Sequence, residues 1–198
     1  MNVDEIVKKY SKNKNHLLHT KFLALTLFQK LKPIFRELEK YNNEADLKLL
    51  ECGALLHDIG INFEDKFNLS HHKAGAKFIL YNKPDEIDEK DIKVLACLIR
   101  YHRKSLPDKK HKLYNSLNDE DKRKTDCLAS IIRLADSMDN RHLGLVEDFI
   151  TEYDFSGKIL TFEFPPNIMI DEELVNGMVR KTDFLEKVFS VEVKFKRG

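Results

Sequence analysis

Apolar residues recur at helical spacing through the first three quarters of the chain. From Asn15 to about Leu31 the set Leu18, Phe22, Leu25, Phe28 and Leu31 follows intervals of three and four, with Pro33 just beyond, which predicts an amphipathic helix. A second helical run, Glu44 to His57, carries Leu47, Leu50, Ala54 and Leu55 on one face, and Gly60 supplies a stop signal. The adjacent pair His57-Asp58 therefore falls at a helix C-terminus. Ser70 is placed to cap a third helix through Ala74, Phe78 and Ile79. Pro84 to Glu86 open a fourth that takes in Ile92, Leu95, Leu98 and Ile99 and ends near Tyr101-His102. Arg103 to Asn118, with Pro107 and a Lys-Lys-His-Lys cluster, has no clear period and reads as a long loop of the kind that serves a site. Asp119 to about Leu143 resumes helical spacing through Leu128, Ile131, Ile132, Leu134 and Met138.

After Gly144 the pattern changes. Lys158 to Phe164 alternates and is rich in Ile, Thr and Phe, Pro165-Pro166 break it, Asp171 to Val188 looks helical, and Val188 to Phe195 alternates again. The expected architecture is mainly α, a helical bundle over residues 1–145 with a small α+β strand-helix-strand appendage over residues 146–198 packed on it.

The composition is that of an ordinary globular chain: 198 residues, 42% hydrophobic and 34% charged, enough to bury a core without disulfides or a structural zinc. With 34 basic residues against 33 acidic ones there is no global positive field, which argues against a nucleic-acid partner. Cys52, Cys97 and Cys127 are widely spaced and odd in number, without a Cys-x-x-Cys pair, so they read as core fillers in a reducing compartment, and a cytoplasmic location is expected. The charged N-terminal stretch lacks an apolar segment, and no apolar run approaches membrane-spanning length.

Eight histidines are too many to be informative singly, so their placement must carry the argument. His16 lies in the first turn of the first predicted helix, His57 and Asp58 end the second, His71 opens the third, and His102 closes the fourth. Asp136 lies in the last long helix among Arg133, Asp139, Arg141 and His142. Imidazole and carboxylate are ligands that divalent first-row metals accept together, and helical bundles build metal sites from side chains on facing helices.

The order His16, His57-Asp58, Asp136 resembles the HD superfamily of metal-dependent phosphohydrolases. More narrowly, HLLHTKFLALTLF, GALLHDIGINF, HHKAGAKFIL, LIRYHRKSLP and IIRLADSMDNRHLG are similar to the C-terminal HD region of the exopolyphosphatase and guanosine pentaphosphatase family, and FEFPP is similar to its tail. The resemblance covers roughly residues 15 to 143 and implies His16, His57, Asp58 and Asp136 as ligands of a first ion. His19, one turn beyond His16, is the rival for the first position. His71 and His102 resemble the extra histidines of two-metal members, in which Asp58 bridges. The cofactor implied is a divalent ion (Mn, Mg, Fe, Co, Ni or Zn), one or two per chain, which would activate water for in-line attack on phosphorus. Lys73, Arg103, Lys104 and Arg141 adjoin the implied ligands and are suited to hold phosphate charge. The basic loop from Lys104 to Lys112 is suited to admit an anionic substrate. Asp139, one turn from Asp136, is placed to orient a ligand or a water. The residues assigned to the reaction itself are Asp58, Lys73, Arg103 and Asp139.

The chain departs from that family in two places. It has none of the Gly-rich phosphate loops of the actin-like domains that carry phosphate cleavage there, so polyphosphate hydrolysis by that route is not implied. Ala74 stands where the family's HHKH run has another histidine. The expected function is hydrolysis of a nucleotide or other small phosphate ester or anhydride, with a homodimer compatible and no membrane partner. The alternative is a catalytically silent module that binds a phosphorylated ligand or a protein partner as a regulator.

Overall fold

The computed structural model describes residues 1–198. Eight helices come first: α1 (Val3–Tyr10), α2 (Lys14–Leu31), α3 (Glu44–Leu56), α4 (Glu64–Phe67), α5 (His71–Tyr81), α6 (Ile92–Tyr101), α7 (Lys112–Asn115) and α8 (Asp119–Met138). Then follow β1 (Ile150–Asp154), β2 (Ile159–Phe164), α9 (Glu172–Val179), α10 (Asp183–Phe189) and β3 (Glu192–Arg197). The molecule is mainly α with a small C-terminal α+β part, as the sequence predicts. No helix is long and apolar enough to cross a membrane.

Asparagine starts four of the helices. Asn2, Asn13, Asn43 and Asn118 each stand at an N-cap and accept a backbone N–H from three residues on, in α1, α2, α3 and α8. Such caps contribute about 1 kcal/mol apiece by satisfying donors that a helix cannot pair internally. Ser70 does occupy the N-cap of α5, but its hydroxyl makes no capping bond. Glu64 reaches across from α4 instead and accepts the His71 N–H at 2.6 Å.

Helix α8 is the axis of the bundle: α2, α3, α6, α9 and α10 all pack against it. Its apolar residues Leu128, Ile131, Ile132, Leu134 and Met138 are fully enclosed. Cys52, Cys97 and Cys127 are buried thiols with no disulfide, and burial pushes the Cys52 and Cys97 thiols up to about 12. One continuous set of buried apolar residues runs from α1 through to β3.

Several predicted features are corrected. The stripe expected to bury α2 holds at Phe28 and Leu31 but is displaced before them, where Leu18 is 52% and Phe22 45% exposed and Leu17, Thr20, Leu23, Ala24 and Leu27 are buried instead. Helix α6 begins at Ile92 after a tight turn at Glu89–Asp91, and α8 ends at Met138 instead of near Leu143. The predicted loop Arg103 to Asn118 holds the one-turn α7. The helix expected over Asp171 to Val188 is broken at Arg180, Lys181 and Thr182 into α9 and α10. The appendage also has a strand the pattern did not show: β1 pairs antiparallel with β2, which pairs parallel with β3 across the α9–α10 crossover. Gly60 does not end α3 in a left-handed turn. Its role is close approach, because a Cβ there would lie 1.8 Å from the His71 carbonyl oxygen and 2.4 Å from the Gly75 nitrogen.

Candidate metal centre

Helix ends gather the candidate ligands. His16 sits in the first turn of α2, His57 is the C-cap of α3, and His71 is the first residue of α5. His102 is the C-cap of α6, Asp136 lies in the last turn of α8, and Asp139 is the C-cap of α8. The helical backbone stops at Asp58 (φ −99°, ψ 6°), so two consecutive side chains turn toward one point. Gly60 then lets the turn Ile59–Phe63 press against the start of α5, which brings Asp58 Oδ1 to 3.5 Å from His71 Nε2.

Two overlapping groups result. His16, His57 and Asp58 form one and Asp58, His71 and His102 the other, with the ligand atoms of each within 4.8 Å of one another. Asp136 joins the first through Oδ1, 3.4 Å from Nε2 of both His16 and His57. In the second, Asp58 Oδ1 is 3.6 Å from His102 Nε2. Both groups share Asp58. His19 turns elsewhere: its Nε2 donates to the Val146 carbonyl at 2.8 Å and its Nδ1 lies 3.3 Å from Asp139.

The imidazoles are held in one tautomer by acceptors at their backs. His57 Nδ1–H donates to the Ala54 carbonyl, and His102 Nδ1–H to that of Ile99, each at 2.7 Å. His16 Nδ1–H donates to Asp139 Oδ2 at 2.8 Å. A neutral imidazole with its proton on Nδ1 carries a lone pair on Nε2. All three Nε2 atoms face inward, and those of His16 and His57 are 3.2 Å apart. Two bare lone pairs at that distance would repel, and either a proton or a metal ion at Nε2 relieves them. The donor set therefore fits a divalent ion of the imidazole-accepting kind.

The charges agree with this reading. Burial lowers the His16 pKa, but hydrogen bonds to Asp136 and Asp139 outweigh it and raise it to about 9. For His57 burial is likewise overcome by Asp58 and Asp136, and its pKa rises. Asp136, although desolvated, is held well below the carboxylate range by its hydrogen bonds to His16 and His57. Asp139 is similarly depressed: burial raises it, and His16, His19 and the Gly144 N–H outweigh that. His102 is driven well below its usual value by burial and by His57. The end of the site that holds Asp136 and Asp139 ionised and attracts a proton to His16 and His57 is one that favours a small cation.

Arg103 faces the same centre, donating through Nη1 to His71 Nε2 at 3.0 Å. Since guanidinium only donates, the His71 lone pair is engaged there, and its Nδ1–H turns to Glu64 Oε1 at 3.5 Å. An open cleft of about 410 Å³ adjoins the ligands, lined by Asp58, His71, Arg103 and Asp136 together with Arg180 and Lys181. Of the cations assigned from sequence, Lys73 and Lys104 are exposed, and the Lys104 carbonyl accepts from Arg133. Arg141 is paired with Asp171 and Glu173. None of these three lines the cleft, nor do Lys109, Lys110 or Lys112. Arg180 and Lys181 were missed, although the run Arg-Lys-Thr-Asp interrupting an apolar period was a visible signal.

His142 stacks on His16, with ring centroids 3.8 Å apart, and its Nδ1 lies 2.6 Å from Asn13 Nδ2. It has a left-handed backbone (φ 58°), as does Gly144 (φ 64°), in the turn that wraps Asp139.

Compared with known families, residues 1–180 match Ppx/GppA phosphatase, domain III. No curated protein matches the chain.

Proposed function

Because the chain belongs to the Ppx/GppA phosphatase domain III family, we propose that it is a phosphohydrolase of the HD kind, using one or two divalent ions on a small phosphate ester or anhydride, nucleotides included. The observation that carries the metal dependence is the set of three inward-facing Nε2 lone pairs around Asp58 and Asp136. His16, His57, Asp58 and Asp136 would hold the first ion and Asp58, His71 and His102 a second. Such an ion supplies a Lewis acid that activates water and neutralises charge on phosphoryl oxygens.

The chain's own groups do the rest. Asp139 keeps the His16 proton on Nδ1, and the carbonyls of Ala54 and Ile99 do the same for His57 and His102. Arg103 and an ion at the second group compete for the same His71 lone pair. With that lone pair engaged by an ion, the guanidinium would be free to turn toward the cleft, where it is placed to grip a phosphoryl oxygen. Lys73 has no part in this scheme, being outside the cleft.

The test is metal content after purification without chelator, followed by a panel of phosphate monoesters, diesters and nucleotides with Mn, Mg, Fe, Co, Ni and Zn supplied in turn. Bound metal and turnover are expected, with His57→Ala and Asp58→Ala each losing more than about 100-fold, beyond the usual cost of removing a residue that only supports a ligand. A wild-type protein with neither bound metal nor any activity that depends on His57 and Asp58 refutes the proposal.

A further inference from the structure

The break between α9 and α10 presents Arg180 and Lys181 to the same cleft as the candidate ligands. Three contacts fix that break in place. Arg133, buried on α8, grips Asp183 with two parallel bonds of 2.9 and 3.0 Å. Gly177 lets α9 close on Asn140, where a Cβ would meet the amide nitrogen at 2.1 Å. Thr182 Oγ1 donates back to the Val179 carbonyl at 3.0 Å and seals the end of α9.

Lys181 is 24% exposed, and its Nζ has one carboxylate partner, Asp136 Oδ2 at 3.7 Å. Burial lowers its pKa, with Arg133 and Arg103 adding like charge. Arg180 has no acidic partner, and Arg103 has none either, with its Nε buried and unpaired. Three cations, Arg103, Arg180 and Lys181, therefore line the cleft beside the carboxylates Asp58 and Asp136, and two of the three have no acidic partner. An ion held by Asp136 would engage the one carboxylate within ion-pair distance of Lys181, and a partly buried ammonium without a paired counter-charge is costly.

We infer that Arg180 and Lys181, with Arg103, form a phosphoryl-binding subsite that selects a dianionic terminal phosphate, as in a monoester or the end of an anhydride, over the monoanionic phosphate of a diester. This rests on the phosphohydrolase reading for its place in a reaction, and its binding step can be measured without turnover. A monoester phosphate has a second pKa near 6 and carries close to two charges above pH 7, whereas a diester carries one.

The experiment is calorimetric titration of the full chain, at pH 7.5 with saturating Mn²⁺, by inorganic phosphate and by dimethyl phosphate. Wild type is expected to bind phosphate at least about tenfold more tightly than dimethyl phosphate. Lys181→Met and Arg180→Met should each weaken phosphate by about tenfold and leave dimethyl phosphate within twofold, the scale of one charge-assisted hydrogen bond. Lys181→Arg, which keeps the charge, should stay within threefold of wild type. Equal affinity for the two anions, or unchanged phosphate binding in a folded charge-removing variant, overturns the inference. Each charge-removing variant decides alone, so failure of one to fold leaves the other decisive. Phosphate selectivity without turnover of any ester or anhydride would refute the phosphohydrolase reading and leave the subsite standing.

Discussion

Gly60→Ala should separate the two ligand groups. The added Cβ would lie 1.8 Å from the His71 carbonyl oxygen, 2.4 Å from the Gly75 nitrogen and 2.7 Å from the His71 carbonyl carbon. All three are backbone atoms, so no side chain can move aside. Carbon needs about 3.4 Å or more from such atoms, so the turn Ile59–Phe63 must retreat from α5 by about 1.5 Å. Overpacking of this kind costs about 3 kcal/mol. In a chain of this size that lowers the melting temperature by about 6–12 °C. Asp58 immediately precedes the displaced turn and must move off His71, now 3.5 Å away, while His16, His57 and Asp136, the rest of the first group, sit on α2, α3 and α8 and stay in place. The assay is Mn²⁺ titration of both proteins beside their melting curves. A two-site isotherm is expected for wild type and a one-site isotherm for the variant. A variant that melts within about 2 °C of wild type and keeps both sites would refute the reasoning.

Asp139→Asn removes the charge that pins the His16 proton to Nδ1, and metal affinity should fall about 10- to 100-fold with the fold intact, as read by competition with a chelator. Asp126 lies where burial raises its pKa to about 6, partly offset by the Tyr114 hydroxyl, which donates to it at 3.0 Å. Its folded pKa exceeds the unfolded value near 3.9, so the favourable contribution is present below about pH 4 and is lost as pH rises through about 6. Asp126→Asn should therefore stabilise at pH 7 by about 1–2 kcal/mol, after allowance for solvent screening, and leave pH 3.5 unchanged. Urea midpoints at the two pH values check this.

Much of the site was legible because its chemistry is local. The adjacent His57-Asp58 pair, and histidines falling at predicted helix ends, mark positions that the fold brings into two groups sharing Asp58. What escaped depends on tertiary neighbours. The buried face of α2 includes Thr20 and Ala24, which a search for large apolar residues passes over in favour of Leu18 and Phe22. Helix α1 announces itself by a capping box, Asn2 with Glu5, which is short enough to be lost in a charged stretch. The break at Arg180 to Thr182 is marked in the sequence only by its polar run, without proline or glycine, and is held by Arg133, which grips Asp183 from 50 residues away. Strand β1 buries little of itself and shows almost no alternation in apolar character.

The bond between His16 and Asp139 joins residues 123 apart in sequence. No early, local stretch of chain can assemble the centre, because its parts come from helices far apart in sequence, α2 to α8, and meet only when α8 has docked. An ion that recognises this arrangement has nothing comparable to bind in the unfolded chain, so it stabilises the native state by mass action, about 2.7 kcal/mol at a concentration one hundred times its Kd. Its effect on kinetics should be one-sided. Contacts made last in folding are the first to be lost in unfolding, so the ion should slow unfolding while leaving the folding rate almost untouched. The cellular lifetime of the protein would then follow the local supply of metal.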